Sequence, residues 1–251
     1  MTASPDTASH PAPSLAALRR EFARLASPRR RAVTLTFFKC RGVGYGERER
    51  FAGLSVPQVR GLLRRFRALP DRDIPALVRS RIHDERLLGL LFLVDRYRRG
   101  GEAARARVYR TYVAAFPWID NWDLVDASAE HILGAHLESR DKAPLRAWAR
   151  SPRLWDRRLA VVATLAWIRK GRFAETLRLV RGLLRDPEDL MHKACGWMLR
   201  EVGKRDLGVL RGFLDRHGSR MPRTMLRYAI ERFPERERLA YLAVHGPRRR
   251  V

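Results

Sequence analysis

Apolar residues recur along almost the whole chain at the 3.6-residue spacing of a helix, and the strict alternation of a half-buried strand is nearly absent. Short groups of Gly, Pro, Asp and Ser cut this pattern into roughly fourteen helical stretches. Among them are 14–26, 55–69, 84–98, 102–115, 121–137, 153–169, 173–185, 188–204, 206–217 and 221–232. Several starts carry their own caps. Ser55 precedes Val56-Pro57, which places a proline in the first turn, and Asp186-Pro187-Glu188-Asp189 sets acids near the positive end of the next helix. Paired helices joined by tight turns predict an all-α helical-repeat stack, with a compact irregular helical domain as the alternative. No break in composition marks a second domain. The expected organisation is a disordered Pro/Ser/Thr/Ala-rich tail over 1–13, one helical-repeat domain over 14–245, and a basic tail over 246–251.

Three helices carry more than a packing pattern. In 188–204, with successive side chains about 100° apart, Met191, Cys195, Met198, Leu199 and Val202 gather on one face. Lys193, Trp197, Arg200 and Lys204 gather on the other. An indole inside a cationic stripe suits contact with sugars and bases while phosphates are held alongside; packing of Trp197 on a neighbouring repeat is the structural alternative. In 121–137, Leu124, Val125, Ser128, Ile132 and Ala135 form the inward stripe, and Trp122 and Asp126 stack together away from its centre. Asp123 points elsewhere and reads as a first-turn acid, capped in concert with Asp120. DNA repels a carboxylate, so one placed in a DNA groove needs a reason, and stabilising a cationic transition state is one. A buried salt bridge to an arginine is the other reading of Asp126. The helix over 153–169 is apolar nearly all round, and Arg158, lying between the Val162 and Leu165 directions, must find a carboxylate or a phosphate.

Charge then changes the picture. Lys+Arg number 52 against 27 Asp+Glu in 251 residues, a formal net charge of +25. Lysine occurs only at Lys39, Lys142, Lys170, Lys193 and Lys204, so arginine carries the excess. A genome that swaps Lys for Arg accounts for that preference but not for the net charge. A polyanion does, and a phosphate backbone is the usual one; a basic membrane-surface protein is the lesser option. No apolar run reaches the length of about 18 residues that a membrane span requires. The two cysteines, Cys40 and Cys195, make no disulfide framework, and the seven histidines lack metal-ligand spacing. No HExxH, Gly-rich phosphate loop or GxSxG is present, which leaves a metal-dependent nuclease, an ATPase or a zinc deaminase without support.

Four segments together resemble one family. Trp118-Ile119-Asp120-Asn121-Trp122-Asp123-Leu124-Val125-Asp126 resembles the Trp-Asp-x-Val-Asp segment of the bacterial DNA alkylation-repair glycosylases, the AlkD-like family. Trp155-Asp156-Arg157-Arg158-Leu159-Ala160 is similar to its Trp-x-x-Arg-x-Ala segment, and Lys193-Ala194-Cys195-Gly196-Trp197-Met198-Leu199-Arg200-Glu201 to its Lys-Ala-x-Gly-Trp-x-Leu-Arg-Glu segment. Gly53-Leu54-Ser55-Val56-Pro57-Gln58-Val59-Arg60 is similar to its Gly-[Ile/Leu]-x-x-Pro-x-x-Arg stretch. The resemblance runs from about Phe22 to Phe233. It implies a curved HEAT-like solenoid with a concave basic face, acting as a cofactor-free monofunctional glycosylase on cationic N3- or N7-alkylated purines in double-stranded DNA. Trp122, Asp126 and Trp197 become the catalytic set. Arg158 becomes a DNA contact, which the Lys193, Arg200 and Lys204 stripe and Lys39 are expected to join, with Phe37, since Phe37 or Phe38 is the nearest match to an aromatic that relatives place near the DNA. Two alternatives share the resemblance: excision of bulky adducts, and non-catalytic binding of unusual DNA structures. A protein–protein adaptor and an RNA binder fit less well. A cytoplasmic monomer is the expected state.

Overall fold

The computed structural model describes residues 13–38, 40, 45–47 and 49–244. The expected terminal tails lie outside these residues apart from Pro13, as does Lys39. The described residues are all-helical, with one isolated bridge, Arg50 to Ile82, in place of any sheet. The helices are α1 Leu15–Leu25, α2 Pro28–Phe37, α3 Val56–Arg65, α4 Ile74–Val78, α5 His83–Arg99, α6 Glu102–Ala114, α7 Trp122–Asp126, α8 Ala135–Leu137 and α9 Ala143–Trp148. They continue with α10 Leu154–Ala163, α11 Leu165–Ile168, α12 Ala174–Gly182, α13 Asp189–Gly203, α14 Leu207–His217, α15 Arg223–Ala229 and α16 Glu235–Val244. None is long and apolar enough to cross a membrane. The chain divides into two compact units, Met1–Leu93 and Val94–Val251, with the division inside α5.

In the first unit the start of α5 is a polar anchor. Asp84, 4% exposed, accepts the backbone N–H groups of Ala52 and Leu54 at 2.8 and 2.9 Å. Glu49 takes His83 Nδ1 at 2.9 Å and Arg86 Nη2 at 2.5 Å. The Gly53–Arg60 motif has a local cause. Gly53 holds φ +84°, a left-handed value that favours glycine, and a Cβ there would strike the Ser27 carbonyl at the head of α2. Ser55 and Gln58 then close a full capping box on α3, with Pro57 in its first turn.

In the second unit α7, α10, α13 and α15 pack one on the next, the neighbour-to-neighbour arrangement of a helical-repeat stack. Helix α10 is central: every residue from Leu159 to Ala163 is fully buried. The stretch expected as one helix over 121–137 is instead three pieces. Helix α7 ends at Asp126, a π-helical stretch spans Glu130–Gly134, and α8 completes it. The π stretch inserts a residue into the turn and so re-aims the side chains beyond it. Gly134 there lies so close to α10 that a Cβ would collide with the Ala163 carbonyl, and Trp167 Nε1 donates to the Gly134 carbonyl at 2.8 Å. The stretch expected over 153–169 likewise breaks at Thr164, between α10 and α11.

Candidate functional site

Helix α7 begins on Asn121, whose side chain accepts the Trp122 N–H at 2.8 Å; the cap is therefore Asn121 and not Asp120. Leu124 and Val125 are fully buried, which leaves Trp122 and Asp126 half-buried on the flank of the helix. One helical pair away, on α10, Arg158 lies under Asp126. Its Nε reaches Oδ1 at 3.1 Å, and Nη2 reaches Oδ1 and Oδ2 at 3.0 and 2.9 Å. The same guanidinium sends Nη1 to the Leu190 carbonyl of α13 at 2.7 Å. Arg158 thus ties three successive helices together through one planar group, a geometry that lysine's single ammonium cannot reproduce.

The two partners differ in access. The Arg158 side chain is 6% exposed and the Asp126 side chain 21%. The Asp126 side chain therefore keeps some exposure while the cation is shut in. Burial pushes the Asp126 carboxyl above the usual aspartate range, and the Arg158 guanidinium opposes that push without cancelling it. Of the two partners open to Asp126 and Arg158 in sequence, the ion pair is what the geometry displays.

Trp197 sits on α13, half-buried, seven residues beyond Leu190 and so on nearly the same face of the helix, about 10 Å further along it. The opposite face carries Met191, Cys195, Met198, Leu199 and Val202, all fully buried, as the spacing predicts. Burial drives the Cys195 thiol far up, so this cysteine is an inert core residue.

The cations of the α13 stripe are placed as expected but are not bare. Lys193 Nζ lies 2.7 Å from Asp189, Lys204 Nζ 2.6 Å from Glu201, and Arg200 pairs with Glu231. Glu201 also faces Arg205 at 3.5 Å. Phe37 closes α2 in the first unit with 64% of its surface exposed, and its ring meets Phe38 edge-on at 5.3 Å. Phe38 itself is buried against Phe51 and His83. Among the described residues no group of three or more His, Cys, Asp or Glu is placed to hold a metal ion.

Comparison with known proteins agrees with this architecture. A solved structure described as a predicted DNA alkylation repair enzyme from Enterococcus faecalis superposes with a TM-score of 0.66. It covers 84% of this chain and 97% of its own at 16% identity, a likeness of fold. No curated protein matches in sequence. The model of the DNA alkylation repair enzyme family matches residues 18–233, which include every helix of the site, and the chain belongs to that family.

Proposed function

We propose that the protein is a DNA glycosylase that hydrolyses the N-glycosidic bond of cationic N3- or N7-alkylated purines in duplex DNA. The observation that carries the reading is Asp126, a partly exposed carboxylate fixed by a shut-in arginine, in a chain of +25 net charge. A purine alkylated on a ring nitrogen already bears positive charge and leaves with the glycosidic electron pair as a neutral base. What remains is a sugar of oxocarbenium character, to which water adds at C1′ with loss of a proton. Asp126 stabilises that cation and orients the water, accepting its proton. Arg158 acts as a positioning residue, holding the carboxylate oxygens in one plane against α13. Trp122 and Trp197 cover the deoxyribose and add cation–π attraction as charge develops. The surplus of arginine holds the phosphates, so affinity falls steeply with salt.

The test is base release from methylated duplex DNA under single-turnover conditions, with Asp126→Asn in parallel and duplex binding measured for both. Release by the wild type and loss of release by a variant that still binds supports the reading. A variant that excises at a near-normal rate removes Asp126 from it. Intact binding with no release by the wild type favours bulky adducts or a non-catalytic role.

A further inference from the structure

Beside the α13 stripe, α13, α15 and α16 enclose a cleft of about 520 Å³, lined among others by Lys193, Thr224, Arg227, Tyr228, Glu231 and Arg238. Two of these helices, α13 and α15, approach unusually closely. A Cβ on Gly196 of α13 would come within 2.5 Å of both the Met225 carbonyl and the Tyr228 Cβ of α15, so only glycine lets these helices meet. Asp189 in the lining is held by Lys193, which together with a hydrogen bond from Thr224 keeps its carboxyl below the ordinary range. Glu231 is occupied by Arg200.

Arg227 and Arg238 are different. Both are exposed, and among the described residues neither is in an ion pair. The three cations of the α13 stripe already have carboxylates; these two do not. A compensated cation releases few counterions when a phosphate arrives, whereas an uncompensated one contributes its full share. Tyr228 adds a half-buried ring to the same wall, a surface on which a sugar or base can stack. Lys193 belongs both to this wall and, one helical turn from Trp197, to the α13 stripe, so the cleft begins where that stripe ends.

We infer that this cleft is a nucleotide subsite. It takes one phosphodiester-linked nucleotide of the DNA strand flanking the lesion, with Arg227 and Arg238 on the phosphates and Tyr228 against the sugar or base. The inference rests on the DNA-glycosylase reading. It moves the main phosphate anchor away from Lys193, Arg200 and Lys204 to residues on α15 and α16.

The experiment uses the full chain and a fluorescein-labelled duplex carrying one 7-methylguanine, with Kd measured by anisotropy across a salt series. The double variant Arg227→Ala/Arg238→Ala is compared with Arg107→Ala/Arg110→Ala, which removes equal charge from two exposed positions of α6. Thermal unfolding confirms that all three proteins are folded. The cleft variant is expected to bind about tenfold or more weakly, with its log–log salt slope reduced by about 1–2, close to one unit per lost phosphate contact. A Kd and slope equal to the wild type overturn the subsite and leave the glycosylase reading standing. Equal losses in the cleft and α6 variants also overturn it, since they make the effect one of net charge. A wild type that does not bind duplex overturns both.

Discussion

Two neighbouring arginines on α10 make the same bond in different surroundings. Arg157 forks Asp186 at 2.6 and 3.2 Å and sends its remaining nitrogen to the carbonyls of Ser151 and Pro152 at 3.0 and 2.9 Å. Arg158 forks Asp126 and sends its remaining nitrogen to Leu190. The difference lies in the acids. Asp186 is 3% exposed and also accepts the Glu188 N–H at 3.0 Å, so its oxygens are used up at the entry to α13. Asp126 is 21% exposed, and among the described residues its carboxylate is hydrogen-bonded by Arg158 alone. A buried guanidinium beside a carboxylate is therefore no sign of a site in itself. What separates scaffold from chemistry here is whether the acid has been left anything to do.

That contrast can be broken by experiment. The largest effect expected is on Asp126→Asn, which should lower single-turnover excision roughly 10²–10⁴-fold, the usual range for a positioned acid–base group, with duplex affinity retained. Asp186→Ala should do the reverse. Leaving Arg157 buried without its partner costs about 3–5 kcal/mol of stability in denaturant unfolding, while the folded fraction excises at the wild-type rate. If Asp186→Ala lowers the rate per folded molecule as Asp126→Asn does, the distinction between the two acids fails.

Arg158→Lys sharpens the comparison at lower amplitude. Replacing the fork by a single ammonium forfeits at least one charge-assisted hydrogen bond of about 1.5–3 kcal/mol, so a rate loss of about tenfold or more is expected. The pH profile gives the sign. The working form of Asp126 is the carboxylate and its pKa is already raised by burial, so wild-type excision should rise with pH through a midpoint above that of ordinary aspartate. Weakening Arg158 removes the opposing pull and should move this limb to still higher pH. A purely architectural arginine would leave the limb where it was. The smallest effect is expected for Lys193→Ala and Lys204→Ala. Each cation already has a carboxylate, so each should reduce the salt slope of DNA binding by less than the full 0.9 or so of a bare phosphate contact.

Much of this is legible in the sequence, and the parts that are not share a cause. The two faces of α13 follow from spacing, and every residue assigned to its inner face is fully buried. The cap on α3 can be read from Ser55, Pro57 and Gln58 because it is local. The cations of the α13 stripe lie where spacing puts them, but their partners are less evenly legible. Asp189 and Glu201 lie within one turn of Lys193 and Lys204, so those pairings are open to reading, whereas Glu231 reaches Arg200 only through the meeting of α13 and α15. The break after α7 has no such signal. A π stretch costs one inserted residue in an otherwise helical pattern, and the close contact it makes, Gly134 against Ala163, is with another helix. The bond from Arg158 to Asp126 joins residues 32 apart, and spacing alone leaves its partner open.

The pairing of Asp126 with Arg158 has an electrical consequence. Taken together the two groups have no net charge, so at a distance the site acts as a two-pole source whose field dies away faster than that of a lone anion. A phosphate about one Debye length off, roughly 8–10 Å, meets almost nothing to repel it. An atom brought against the carboxylate lies nearer the negative pole than the positive one, so there the negative field outweighs the positive. A polyanion at a distance therefore meets little of the acid, while a positive centre brought against the carboxylate meets it directly.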